Sequence, residues 1–224
     1  MVRNIATKLS FASMGLFLLI LLGLHVLEPE FDPTWRFISE YALGPYGWLM
    51  HLSFSLVALG SLCFMIAAWD ETKSATGRIG QILLGISALG MAIAAFFTTD
   101  PITTPAGEMT DSGKMHALGG QLNLTPLAVL FLTWGLNKRK DWKQVRLPLQ
   151  ATAVLTLFVT IGFAVSVGAA QGEFGPGVYA GLFGRLLMVG YAAWIVIASF
   201  HMLRLQPRPE WAKRSKAVVS GNEV

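Results

Sequence analysis

Long apolar runs alternate with short polar stretches along the whole chain. Six runs are long enough for the roughly 20 apolar residues that one bilayer crossing needs. They cover Leu9–Leu27, Pro45–Trp69, Ile79–Phe97, His116–Leu136, Leu147–Ala170 and Val178–Leu203. The pattern predicts an all-α, polytopic integral membrane protein, a bundle of six transmembrane helices. The bundle should occupy residues 1–206, with a polar cytoplasmic tail over 207–224. The first run follows Arg3 and Lys8, as a signal peptide would. No small-residue cleavage site follows Leu24, and His25 to Phe31 is bulky and acidic, so an uncleaved helix is expected.

Composition agrees with this pattern. Hydrophobic residues make up 54% of the 224 and charged residues 13%, where a soluble domain carries about 25% charged residues. Much of the surface therefore faces something other than water. The lone Cys63 lies inside an apolar run, excludes an intramolecular disulfide and reads as a small hydrophobe.

The charge distribution orients the bundle. Of the 17 Lys and Arg residues, 14 fall at one end. These are Arg3, Lys8, Lys73, Arg78, Lys138, Arg139, Lys140, Lys143, Arg146, Arg204, Arg208, Lys213, Arg214 and Lys216. Arg36, Lys114 and Arg185 fall at the other. Such an imbalance predicts that both termini are cytoplasmic. The net charge of +4 comes from these loop clusters. No basic-aromatic stripe suited to nucleic acid is present.

The candidate chemistry collects at the opposite, acidic end. There FFTTDPITTPAGEMTDSGKMH, Phe96 to His116, puts Asp100 and His116 at the two lips of one loop. His51 and Arg185 lie about 9 and 10 Å down their helices at 1.5 Å per residue. His25, Glu28, Glu30, Asp32 and Glu40 lie at the same end, and His201 at the other. Ionisable groups below a membrane surface tend to face the bundle interior and mark function. Glu40, Asp100 and His116 are therefore candidate catalytic groups for acid–base work. Arg185, Ser39 and Asn123 are candidate substrate-binding residues. His51, His116 and Asp100 are a candidate set for a divalent metal. Asp100 and His116 could equally form a structural pair. His116, Gly120 and Asn123 share one helical face, and Gly119 and Gly120 leave room for a neighbouring backbone. A haem would need paired histidines at matched depth, and His51 with His116 or His25 are the candidates. His201 has no partner at its own end, which argues against a two-haem wire. No HExxH, CxxC, GxSxG or phosphate-loop motif occurs.

LEPEFDP after His25, ISEYALGPYGWLM (Ile38–Met50), TDP with His116 beyond it, and GLFGRL around Arg185 together resemble one family. It is domain-of-unknown-function family nine-nine-eight, six-helix membrane proteins of bacteria and archaea. The resemblance covers nearly the whole chain. It implies the six-helix architecture and a place in the bacterial cytoplasmic membrane. It also points to Ser39, Glu40, Asp100, His116 and Arg185 as motif positions, and it implies no activity. A remoter likeness in layout links such proteins to six-helix eukaryotic membrane proteins of the Frag1/DRAM/Sfk1 type, which carries fold and not function. ISEYALGPYG also reads simply as a shaped helix entry, with Ser39 as a turn former and Pro45 near the first turn.

Four functions remain in competition. The first is binding or hydrolysis of a membrane lipid or lipid-linked substrate at the outer face. The others are a non-catalytic structural or partner-binding role, a transporter, and a haem-binding electron carrier. The grouping of polar residues predicts one polar cavity in the outer half of the bundle, holding Glu40, Asp100, His116 and Arg185. Within it Arg185 should pair with Asp100 or Glu40.

Overall fold

A computed structural model describes residues 1–205. The polar tail expected over 207–224 lies outside the described residues. The described chain is helical, in the order α1 (Val2–Leu27), α2 (Gly47–Ala68), α3 (Ala75–Phe96), α4 (Asp111–Gln121), α5 (Thr125–Asn137), α6 (Arg146–Ala170) and α7 (Ala180–Leu205). Short 3-10 turns at Ile38–Leu43, Ala106–Glu108 and Lys140–Val145 shape the loops. Six helical stretches are long and apolar enough to cross a membrane, with α4 and α5 together making the fourth. The protein is thus a multi-pass membrane protein.

The fourth crossing departs from the expected single helix His116–Leu136. It starts earlier, at Asp111, and is interrupted over Leu122–Leu124. Pro126 sits in the first turn of α5, where its missing N–H costs nothing and its fixed φ favours a restart. Just before it, the Asn123 side-chain oxygen accepts from the Thr125 amide and hydroxyl. This local bond competes with continued helix.

The helices pack in a ring of neighbours. α1 lies on α2 and α7, α3 lies between α2 and α5, and α6 packs chiefly on α7 with a smaller contact to α5. Tyr191 and Trp194 of α7 are fully buried, as are Phe17 and Phe64. The two polar tips find partners across helices: Tyr191 meets the Ser61 hydroxyl at 2.6 Å, and Trp194 Nε1 donates to Thr133 at 2.8 Å. α4 leans on α3 through Gly119, whose added Cβ would stand 2.6 Å from the Gly90 carbonyl and 2.9 Å from the Ala94 amide. Gly120 has open space instead. So Gly119 alone makes the close approach expected of both glycines.

The basic end also holds a buried ionic knot, where the sequence pattern suggested little besides His201. Glu71 is buried and accepts from Arg3, Arg139 and, at 3.2 Å, the Trp142 indole. Arg139 also pairs with Asp141, whose carbonyl meets His201 Nε2 at 2.8 Å. The knot joins α1, the turn after α2, the turn before α6, and α7.

Gly119→Ala should force α3 and α4 apart and destabilise the bundle by about 1–3 kcal/mol, the usual cost of overpacking. Gly120→Ala should be neutral or slightly stabilising. Apparent melting temperatures of the two variants in one detergent compare them directly, and equal losses would contradict the close contact.

Candidate functional site

The acidic end is covered by the first loop, which folds down onto the helices and buries Phe31, Ile38 and Tyr41. Arg185, in the second turn of α7, holds it there. The guanidinium is 6% exposed. Its Nη1 donates to the carbonyls of Pro33, Arg36 and Gly181 at 3.1, 2.6 and 3.1 Å. Nη2 donates to the Tyr41 hydroxyl at 3.2 Å, and Nε to His25 Nε2 at 2.9 Å. The His25 Nδ1 lies 2.6 Å from the Leu21 carbonyl. A carbonyl only accepts, so Nδ1 carries the proton and Nε2 offers the lone pair to Arg185. Arg36 and Trp35 backbone atoms also crowd Gly181, where any Cβ would collide. The Leu182 amide, at the free start of α7, donates to the Thr34 carbonyl at 2.9 Å.

This arrangement overturns the expected pairing of Arg185 with Asp100 or Glu40. Among the described residues Arg185 forms no ion pair. The folded loop supplies neutral acceptors that match the planar fork, and both carboxylates have other tasks. Nearby Asp32 is held below the ordinary carboxylate range, mainly by the Thr34 hydroxyl and amide, with a smaller contribution from the positive charge of Arg185.

Glu40 is fully buried and ties two loops together. It accepts from the Phe37 amide in its own loop and from the Ile102 amide in the second loop, both at 2.9 Å. Arg36 closes the pair at 3.0 Å. Asp100 accepts from the Thr110 amide and hydroxyl at 2.8 and 2.9 Å. The Thr110 oxygen in turn accepts from the Gly113 amide, so Asp100 steadies the N-cap of α4. Ser39 is buried in the 3-10 turn beside Glu40.

The two histidines serve the last turn of α3. His116 Nδ1 meets the Ala94 and Phe97 carbonyls at 3.1 and 2.8 Å, and His51 Nδ1 meets the Ala95 carbonyl at 2.8 Å. These are carbonyls that a helix end leaves without intrahelical partners. Among the described residues no group of three or more His, Cys, Asp or Glu stands ready for a metal ion. The set His51, His116 and Asp100 is therefore not assembled into a metal site: its imidazoles face carbonyls and its carboxylate faces Thr110. Among the described residues the groups expected to line one polar cavity form a polar seam. Glu40, Asp100, His116 and Arg185 share one end of the bundle, but each turns into backbone.

Asn123 lies apart, at the interruption between α4 and α5. Its Nδ2 faces the Met188 sulfur at 3.9 Å, a weak acceptor. The Leu124 amide donates to Ser87 on α3 at 2.9 Å. Gly120 and Gln121, just before the break, are exposed. His116, Gly120 and Asn123 do not continue one face, because the helix ends between them. Three participants were not readable from spacing: Tyr41, Ser87 and Thr110. Of these, Thr110 alone left a signal, as a threonine directly before an acidic first turn.

A family model described as a protein of unknown function (DUF998) matches residues 11–201. No curated protein and no solved structure matches the chain.

Two outcomes follow from the seam. Arg185→Leu orphans the Pro33 and Arg36 carbonyls, at about 1–3 kcal/mol for each group left dry. In double-mutant cycles it should couple to His25→Leu and add independently with Asp100→Asn. Melting temperatures of the two cycles test this, and coupling to Asp100 alone would refute the geometry.

Glu28, the residue that caps α1, accepts from the Tyr46 amide at 2.7 Å, while its other oxygen is buried without a partner. Burial raises its pKa above the ordinary value, against the Tyr46 bond and with Glu30 adding a little. A raised folded-state pKa means the folded protein binds the proton more tightly than the unfolded chain. Glu28 thus favours folding at low pH, and that advantage is lost as pH rises from the unfolded value through the folded one. Glu28→Gln keeps the Tyr46 acceptor. It should match or exceed wild-type stability near neutrality and show a flatter melting profile as pH rises above the ordinary carboxylate range.

Proposed function

The chain belongs to the DUF998 family of membrane proteins, and we propose that it binds an amphiphile drawn from the bilayer and does not hydrolyse it. The ligand would lie against the exposed side of the interrupted fourth crossing, at Gly120 and Gln121. The carrying observation is that Gly120 and Gln121 are exposed where the helix breaks. Ser87, which holds the break, lies nine residues before the end of α3, or about 14 Å below it at 1.5 Å per residue. That is near the centre of a hydrocarbon core about 30 Å thick. Irregular backbone at such depth persists only against protein or a polar-lined cavity, and broken helices commonly line ligand sites.

The break has unspent donors. Among the described residues the Gln121 side chain forms no hydrogen bond, and Asn123 Nδ2 has only the Met188 sulfur. Two carboxamides there suit a lipid whose carbonyl groups reach below the head-group layer. Hydrolysis draws no support from the same geometry. A general base must reach the proton it takes, whereas both oxygens of Glu40 and of Asp100 are occupied by the chain's own donors. The 14-to-3 division of Lys and Arg supports both termini being cytoplasmic, in a bacterial cytoplasmic membrane.

Protein purified from its own membranes in mild detergent should retain one compound, identified by mass spectrometry of the extract. Gln121→Leu should lose it while eluting and melting as wild type does, and Asn123→Leu, which also removes the Thr125 acceptor, should lose it and melt lower. Retention by both variants, or its absence from wild type, would remove the binding reading. Release of cleaved lipid over time would remove the non-catalytic part.

A further inference from the structure

A groove opens toward the basic end of the bundle, on residues other than those at the break. There α5 and α6 diverge and leave a groove of about 620 Å³. Its α5 wall is Leu130, Trp134 and Asn137, spaced at helical intervals, and its α6 wall is Ala153 and Val154. Lys138 and Gln150 complete the rim. The chain direction makes this groove amphipathic. α5 ends at Asn137 and α6 begins at Arg146, so Asn137, Lys138 and Gln150 stand at the basic surface. Leu130, Ala153 and Val154 continue into the membrane. α6 is the least covered of the six crossings, with 17% of its apolar window buried.

The rim carries unspent polar groups of both kinds. Asn137 Oδ1 is buried with no hydrogen-bond partner, and so is Arg146 Nε, although Arg146 Nη2 already donates to the Asn137 carbonyl at 2.7 Å. Lys138 is exposed and forms no ion pair among the described residues. Its neighbour Arg139, by contrast, is committed to Glu71 and Asp141. A free ammonium at the rim calls for an anion. An orphaned amide oxygen calls for a donor on the same ligand. The apolar trough below calls for an acyl chain.

We infer that this groove is a specific site for an anionic glycerophospholipid with a hydroxylated head group. The phosphate lies on Lys138, a head-group hydroxyl donates to Asn137 Oδ1, and one acyl chain runs between Leu130 and Val154. Phosphatidylglycerol has this chemistry. Phosphatidylcholine offers a phosphate but neither net charge nor donor, so it serves as the competitor.

The test is native mass spectrometry of the full-length protein, delipidated and then given equal amounts of the two lipids. Wild type should retain phosphatidylglycerol over phosphatidylcholine by about fivefold or more, the ratio that one lysine beside an anionic head group supplies. Lys138→Glu and Val154→Trp, which remove the charge and fill the trough, should each bring the ratio to parity without altering elution. Lys140→Glu changes the same surface charge outside the groove and should leave the preference intact. Gln121→Leu should leave it intact as well, which separates this site from the one at the break. A preference that survives both groove substitutions, or that falls equally with Lys140→Glu, is diffuse surface electrostatics and overturns the inference.

Discussion

A buried guanidinium without a carboxylate sets the arrangement of the acidic end. A guanidinium stays charged in proteins, and Arg185 cannot shed that charge. It must be solvated where it stands. Snorkelling along α7 would have needed an open path to water, but the first loop occupies that path. The loop solvates the cation instead, with two of its own carbonyls and the Tyr41 hydroxyl, while His25 and Gly181 add acceptors from the helices. The loop's conformation and the cation's survival are therefore one condition. Gly181 belongs to it, since a side chain there would push the Arg36 carbonyl off the guanidinium.

The same accounting runs through the rest of the bundle. In hydrocarbon a helix end has no water to fall back on, so each terminal carbonyl or amide needs a named partner. His51 and His116 serve the end of α3, and Asp100 serves the start of α4 through Thr110. Ser87 serves Leu124 at the start of α5. Glu40 then fastens the first loop to the second. Residue types that read as catalytic machinery are here the supports of a sealed end.

The crossings were legible because hydrophobic runs of bilayer length have few other readings. The placing of the polar groups at one end was legible from the same segmentation. Their partners were not. Sequence spacing reports neighbours on one helix, whereas His116 acts on α3 and Arg185 acts on a loop roughly 150 residues earlier, as the separation to Arg36 shows. Charge logic favoured a carboxylate for Arg185, and it failed because backbone carbonyls leave no trace in residue identity. Glu71 was overlooked for a related reason. It sits among ordinary loop charges, and only the fold brings Arg3, Arg139 and Trp142 around it. The break in the fourth crossing was not legible from Pro126, because a proline near a helix start and one inside a helix look alike until the break is seen.

Once the satisfied groups are set aside, the unsatisfied ones become informative. An integral membrane protein that pairs most of its deep polar groups, with Ser53 Oγ and Gln81 Oε1 among the exceptions, has little reason to leave a bare carboxamide at the middle of a crossing. Gln121 and the exposed backbone at Gly120 stand out against that background more than any titratable residue does. A straight helix through the same positions would need neither Ser87 nor the Asn123 turn. The interruption costs helical hydrogen bonds and orders two side chains to repair it, so its retention argues for a use. Charge and catalysis are not needed to explain that use. On the proposed reading, a hydrogen-bonding surface at a depth where lipid offers almost none would serve recognition and favour a ligand able to carry carbonyl groups that far down.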